Sequence, residues 1–212
     1  MKRFAISLIS LTISILAGAQ SVQEIISRME TAMSGHENEG VVMTVDTKIP
    51  IVGTMSIKTY TLGEKLRMEM EMAGVVAVSW TDGRTMWAYD PGANEVVIEN
   101  IDDNSNKSSA SGQNGNEMEL FKGISDGYDV SIKKETQDAW HIQCSKSKSN
   151  RDKDAPKSME IVVAKGTFFP ISLSTKIVGI SLTIRDISYG VTEDTVTFNA
   201  KDYPTATIID KR

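Results

Sequence analysis

From Lys65 to Met72 polar and apolar residues take strict turns: Lys65, Arg67, Glu69 and Glu71 alternate with Leu66, Met68, Met70 and Met72. A period of two sends one set to a buried face and the other to water, as in antiparallel sheets. Met55 and Ile57 alternate in the same way with Thr54, Ser56 and Lys58. Further strands are expected at 75–81, 84–89, 95–100, 128–135, 139–145, 158–165, 169–178 and 179–189. Asp82-Gly83 predicts a tight hairpin, and Gly63 and Gly179 are placed to turn neighbouring pairs. Ahead of Gly40 the period is helical. Val22, Ile25, Ile26, Met29 and Met33 make one apolar stripe, Ser21 and Glu24 have capping-box spacing, and Gly35 is placed to end the helix.

Two stretches interrupt the strands. Segment 102–116 is rich in Ser, Asn and Gly without apolar period and predicts a mobile loop, after which 117–123 reads as a short helix carrying Met118, Leu120 and Phe121. Segment 146–157 is strongly charged and reads as a second solvated loop. No repeat or linker divides the chain, so residues 20–212 are expected to form one mainly antiparallel β domain.

The first residues bear on compartment. Lys2 and Arg3 precede an apolar run, 4–16, closed by Ala17-Gly18-Ala19. A basic start, a short hydrophobic stretch and an A-x-A end are the marks of a secretory signal peptide. The run is about thirteen residues, whereas a membrane-spanning helix needs roughly 20. Cleavage after Ala19 is expected to leave Gln20 as the N-terminus of a periplasmic protein. Removing 1–19 takes away two positive charges, so the formal net charge moves from −5 to −7. That acidic balance argues against nucleic acid or anionic membrane surfaces as partners, since both need a positive patch. Cys144 is the only cysteine, so no internal disulfide is available.

Candidate chemistry is sparse. His36 follows the expected helix, and His141 lies in a strand three positions from Cys144. Residues three apart on a strand point to opposite faces, so that pair cannot chelate one metal. Cys144 shares its face with Trp140 and Ile142, as a buried thiol would. Glu69 and Glu71 alternate with Lys65 and Arg67, as on a solvated surface. Neither a nucleophile beside a base nor a phosphate loop is visible. We therefore expect no enzyme, no metal and no cofactor.

Methionine is the unusual component. Of 11 in the chain, three alternate within Lys65–Met72. Such flexible, polarizable side chains fill cores and also line surfaces that repack around variable apolar partners. The stripe alone leaves both readings open. The expected helices are too short to cover the apolar side of some ten strands, which leaves a groove or cavity partly open.

Asp82-Gly83-Arg84-Thr85-Met86-Trp87-Ala88-Tyr89-Asp90-Pro91 resembles the hairpin of the periplasmic outer-membrane lipoprotein carriers of the LolA type. The strands at 53–58 and 65–69 and the opening helix fit that family's order, with a good match from about Val22 to Asn100 and a looser one beyond. The resemblance implies an incomplete, unclosed antiparallel β-barrel of about ten strands, with the N-terminal helix and the short second helix covering an apolar face. It also implies a cavity for lipoprotein acyl chains, or another lipid, on the way to the outer membrane. Met55, Ile57, Leu66, Met68, Met70 and Met72 are the expected cavity wall, with Trp80 and Trp87 as aromatic walls. Ile25, Ile26, Met29 and Met33 form the lid helix. Membrane-bound donor and acceptor proteins would be the partners of a monomer. In that family an arginine in a K-R-P stretch ties the lid to the sheet; here the stretch is Lys58-Thr59-Tyr60, without the arginine or the proline. The alternative is a sensor or interaction module of the same fold that binds a lipoprotein or a partner protein.

Overall fold

Ser21 opens α1 (Val22–Ser34): its Oγ accepts the Glu24 N–H at 3.1 Å, and Glu24 pairs one turn on with Arg28 at 2.6 Å. Gly35 caps the other end in right-handed conformation, with φ −71°. The stripe expected for this helix is the face it buries, since Ile25, Ile26 and Met29 are fully inaccessible and Met33 nearly so. Burial of such side chains stabilises by roughly 1.5–3 kcal/mol each, the main reason a 13-residue helix persists.

The computed structural model describes residues 20–36, 38–51, 53–72, 74–101, 121, 124–153, 155–177 and 179–212. The expected leader 1–19 and polar loop 102–116 lie outside the described residues. Of the expected helix 117–123 only Phe121 is described, and it is fully buried. The second helix, α2 (Ile124–Gly127), is a single turn just beyond that segment.

The strands are β1 (Val41–Ile49), β2 (Gly53–Leu62), β3 (Lys65–Met72), β4 (Val75–Thr81), β5 (Thr85–Asp90) and β6 (Glu95–Asn100), then β7 (Tyr128–Glu135), β8 (Ala139–Lys146), β9 (Ser158–Ala164), β10 (Pro170–Ile177) and β11 (Ile180–Tyr189). A one-turn α3 (Glu193–Val196) and β12 (Thr207–Asp210) follow. All twelve strands join one sheet in the order β12-β6-β5-β4-β3-β2-β1-β11-β10-β9-β8-β7. The order has two ends, so the barrel is incomplete, as expected. β1–β6 and β7–β11 are two antiparallel meanders, joined where β1 pairs with β11. β12 was not expected. It lies parallel to β6 and is only four residues long, too short for a period to show.

At the start of β1 the chain needs glycine. Gly40 has φ +67°, and a Cβ there would lie 2.6 Å from the Thr61 carbonyl oxygen and 2.8 Å from Val191 Cβ. This close approach seats β1 between β2 and the segment leaving β11.

The register sorts every side chain onto one of two faces. Leu173 opposes Ile184, Ile184 opposes Val45, Val45 opposes Ile57 and Ile57 opposes Met70. All of these share the face that carries α1. On the β8–β10 side α1, Phe121 and Ile124 pack against Trp140, Ile142, Cys144, Met159, Ile161, Val163 and Leu173 to form the main core.

Candidate functional site

On the helix side of the sheet, burial changes from one meander to the other. Under α1, Ile142, Cys144, Ile161 and Val163 are fully inaccessible. Across the seam the same face continues through Met55 and Ile57 on β2 and Leu66 and Met68 on β3, all only partly buried. Met70 and Met86 are each 36% exposed and Val75 52%. Among the described residues this half has an apolar surface without α1 over it.

The alternation in Lys65–Met72 sets this arrangement. Met68 opposes Thr59 and Ser79, and Met70 opposes Ile57 and Ala77, so each methionine lies between small or apolar neighbours on the adjacent strands. Met72 ends β3 opposite Val75, and its side chain is outside the described residues. Thr59 is buried, and its hydroxyl donates to the Met43 carbonyl at 3.5 Å. Thr59 therefore turns a small polar group onto β1. The lid-helix residues are brought together over β8–β10, not over the methionines.

Trp80 and Trp87 do not line this surface. The register pairs Trp80 with Arg67 and with Trp87, one residue out of phase with Met68, so both rings lie on the opposite, outer face. There the C-terminal segment covers them. Phe198 lies 5.4 Å from Trp80 and stacks on Trp87 at 5.9 Å, Tyr203 lies 5.6 Å from Trp80, and Tyr89 is 4.5 Å from Tyr203. Arg67 caps the cluster, its guanidinium 5.6 Å from the Trp80 ring and 5.3 Å from Tyr60. This second core escaped sequence reading because β4 is apolar on both faces. Its one signal was the pair Phe198 and Tyr203 in a tail with no strand pattern to use them.

Two further groups, Cys144 and Glu160, have shifts with clear local causes. Cys144 is fully buried, and burial pushes its thiol up to about 11, so it stays protonated. His141 lies on the other face with Nδ1 3.3 Å from Glu160, whose second oxygen accepts from Lys133 at 2.5 Å. The Lys133 hydrogen bond is the main cause of a lowered Glu160 pKa. Among the described residues no group of three or more His, Cys, Asp or Glu could hold a metal. No described helix is long and apolar enough to cross a membrane.

No family model matches the sequence, and no curated protein matches it. Among solved structures the chain is similar to the Mycobacterium tuberculosis lipoprotein LppX, at 12% identity over 80% of this chain and 95% of that one, with a TM-score of 0.50. LprF from Mycobacterium bovis matches at 11% identity over 83% and 95%, also at 0.50. A LolA superfamily protein from Nitrosomonas europaea aligns at 11% identity over 86% and 100%, at a TM-score of 0.34, an overlap too loose to weigh. At these identities the likeness is one of fold. The chain has an unclosed and mainly antiparallel β-sheet with one N-terminal helix across half of a single face, and shares its overall architecture with LppX and LprF.

Proposed function

We propose that the protein is an exported carrier that holds the acyl chains of lipoproteins, or of another lipid, against the open half of its helix-side face. The observation that supports this is the discontinuity in burial: one face, largely apolar with a few threonines and serines, is sealed under α1 and only partly buried at Met55, Ile57, Leu66, Met68 and Met70. An acyl chain gains about 0.8 kcal/mol per buried CH₂, so such a surface binds without specific polar contacts. Methionine suits cargo that must also be released, because it repacks without a fixed shape. The reading includes Met72 as the end of that wall, cleavage after Ala19, a monomeric carrier, and membrane-bound donor and acceptor proteins at either end of its route. It calls for no catalytic residue and no cofactor.

A fluorescent fatty-acid probe tests it. In a packed core, Met70→Gln would strand an amide at a cost of roughly 1–3 kcal/mol. On an open face water solvates the amide. We expect Met70→Gln to lose most of its probe affinity with little change in Tm, and Glu71→Gln on the other face to change neither. No probe binding by the wild type, or a large fall in Tm in the mutant, would show that the stripe is structural.

A further inference from the structure

Three hairpins end at the same edge of the sheet, and each presents apolar side chains to solvent. Lys48 is opposite both Thr54 and Ser181, which brings the β1–β2 and β10–β11 turns level; Glu71 is opposite Ser56 and Val76, which adds the β3–β4 turn. Ile51 at the first tip is 107% exposed, Ile177 and Ile180 flank the second at 47% and 37%, and Val75 and Val76 flank the third at 52% and 43%.

Ile51 also adopts φ +73°. A β-branched residue is strained there, where Gly or Asn would be at ease, so folding alone does not account for isoleucine at an exposed tip.

Basic charges flank the first two tips, while the acids Glu71, Asp90 and Glu95 stand at the third tip and at the β5–β6 turn beside it. Exposed Lys48 and Lys176 stand beside the first two turns. A groove of about 330 Å³, mainly on the opposite, outer face of the sheet, has Lys157, Lys176, Ser158 and Ser181 in its lining; Lys176 and Ser181 adjoin Ile177 and Ile180 in sequence. Glu160 lines it too, with its carboxylate already held by Lys133. Glu64, Asp82, Glu193 and Asp194 belong to turns at the opposite end, after β2, β4 and β11.

We propose that this end docks on an anionic lipid bilayer, with Ile51, Ile177 and Val75 entering the boundary between headgroups and acyl chains, and Lys48, Lys157 and Lys176 meeting lipid phosphates. Apolar tips flanked by lysines fit the two layers of that interface, apolar below and anionic above. A protein partner would satisfy the apolar tips but gives no reason for hydroxyls and lysines to line a groove behind them. Ile177 and Ile180 lie on the same face as Leu182, Met55 and Met70, so the docked edge runs into the open apolar face. The docking goes beyond the carrier reading and stands without it.

Vesicle co-sedimentation of the chain from Gln20 onward, which contains every described element, tests the docking. We expect binding to phosphatidylethanolamine–phosphatidylglycerol vesicles that weakens with added salt, and weaker binding to phosphatidylcholine alone. Ile51→Asn with Ile177→Asn should cut binding about tenfold. Asn accepts φ > 0, so the first change should not lower Tm, and a folded but non-binding variant is the expected result. Lys48→Glu with Lys176→Glu should remove the preference for anionic vesicles. Absence of vesicle binding by the wild type, or undiminished binding by the Asn variant, would overturn the proposal. So would a dimer that Ile51→Asn dissociates, since the end would then be a self-interface. Met70→Gln should dock like the wild type; if the wild type docks yet holds no fatty-acid probe, the carrier reading fails and the docking survives.

Discussion

Trp80 and Met68 lie on neighbouring strands and face opposite ways, so their loss should have opposite consequences. Trp80 is 5% exposed and touches Phe198, Tyr203 and Arg67. Trp80→Ala should cost roughly 3–5 kcal/mol of stability in a denaturant titration. The same variant should bind a fatty-acid probe as the wild type does wherever it remains folded. Loss of probe binding at unchanged stability would return the ring to the binding face. Cys144 offers a second check at this scale. With its thiol pushed up to about 11 by burial, it should resist a thiol reagent near pH 8 in the native protein and react once the chain is denatured.

Among the elements, α1 and β3 were legible because each has a single clean period. Ser21, Glu24 and the stripe from Ile25 to Met33 specify a helix start and a buried face, and β3 specifies its faces residue by residue. We expect Ser21→Ala to cost about 1 kcal/mol, read from Tm, because the Glu24 N–H then loses its acceptor. What stayed hidden has a common cause. Val75–Thr81 is apolar on both sides, so its period could not say which face Trp80 takes. The tail from Val191 onward has too few apolar residues in any period to show that it crosses to the outer face and ends as β12. Nor could the pattern say where along a twelve-stranded sheet a 13-residue helix would lie. It settles on β8–β10, where Ile142, Ile161 and Leu173 await it, and so Met68 and Met70 lie on the part of the face that α1 does not reach.

At the scale of the whole molecule one seam joins the two meanders, and a salt bridge spans it. Arg185 on β11 donates to both oxygens of Asp46 on β1, at 2.6 and 3.2 Å, and Ser56 on β2 adds a third hydrogen bond at 2.6 Å. The Arg185 hydrogen bond holds the Asp46 carboxyl below its usual range, against the opposing effect of burial. A lowered pKa means that the folded state binds the proton less readily than the unfolded chain does. The contribution is therefore complete above the unfolded value of about 3.9 and is lost as pH falls through the folded one. Asp46→Asn should have a lower Tm than the wild type at pH 7, and the difference should shrink as pH is taken below about 4. A constant difference across that range would remove the seam from the acid response.

The same seam orders events in time. Within each meander successive strands are near neighbours in sequence, joined by turns or, between β8 and β9, by the loop 147–157, whereas Asp46 and Arg185 are 139 positions apart. Local pairings form fast, and long loops close late. As the chain is synthesised, β1 to β6 can assemble hairpin by hairpin, yet β1 keeps one bare edge until β11 exists. The rings of Trp80 and Trp87 likewise wait for Phe198 and Tyr203, near the end of the sequence. The native state is thus out of reach until almost the last residue has been made.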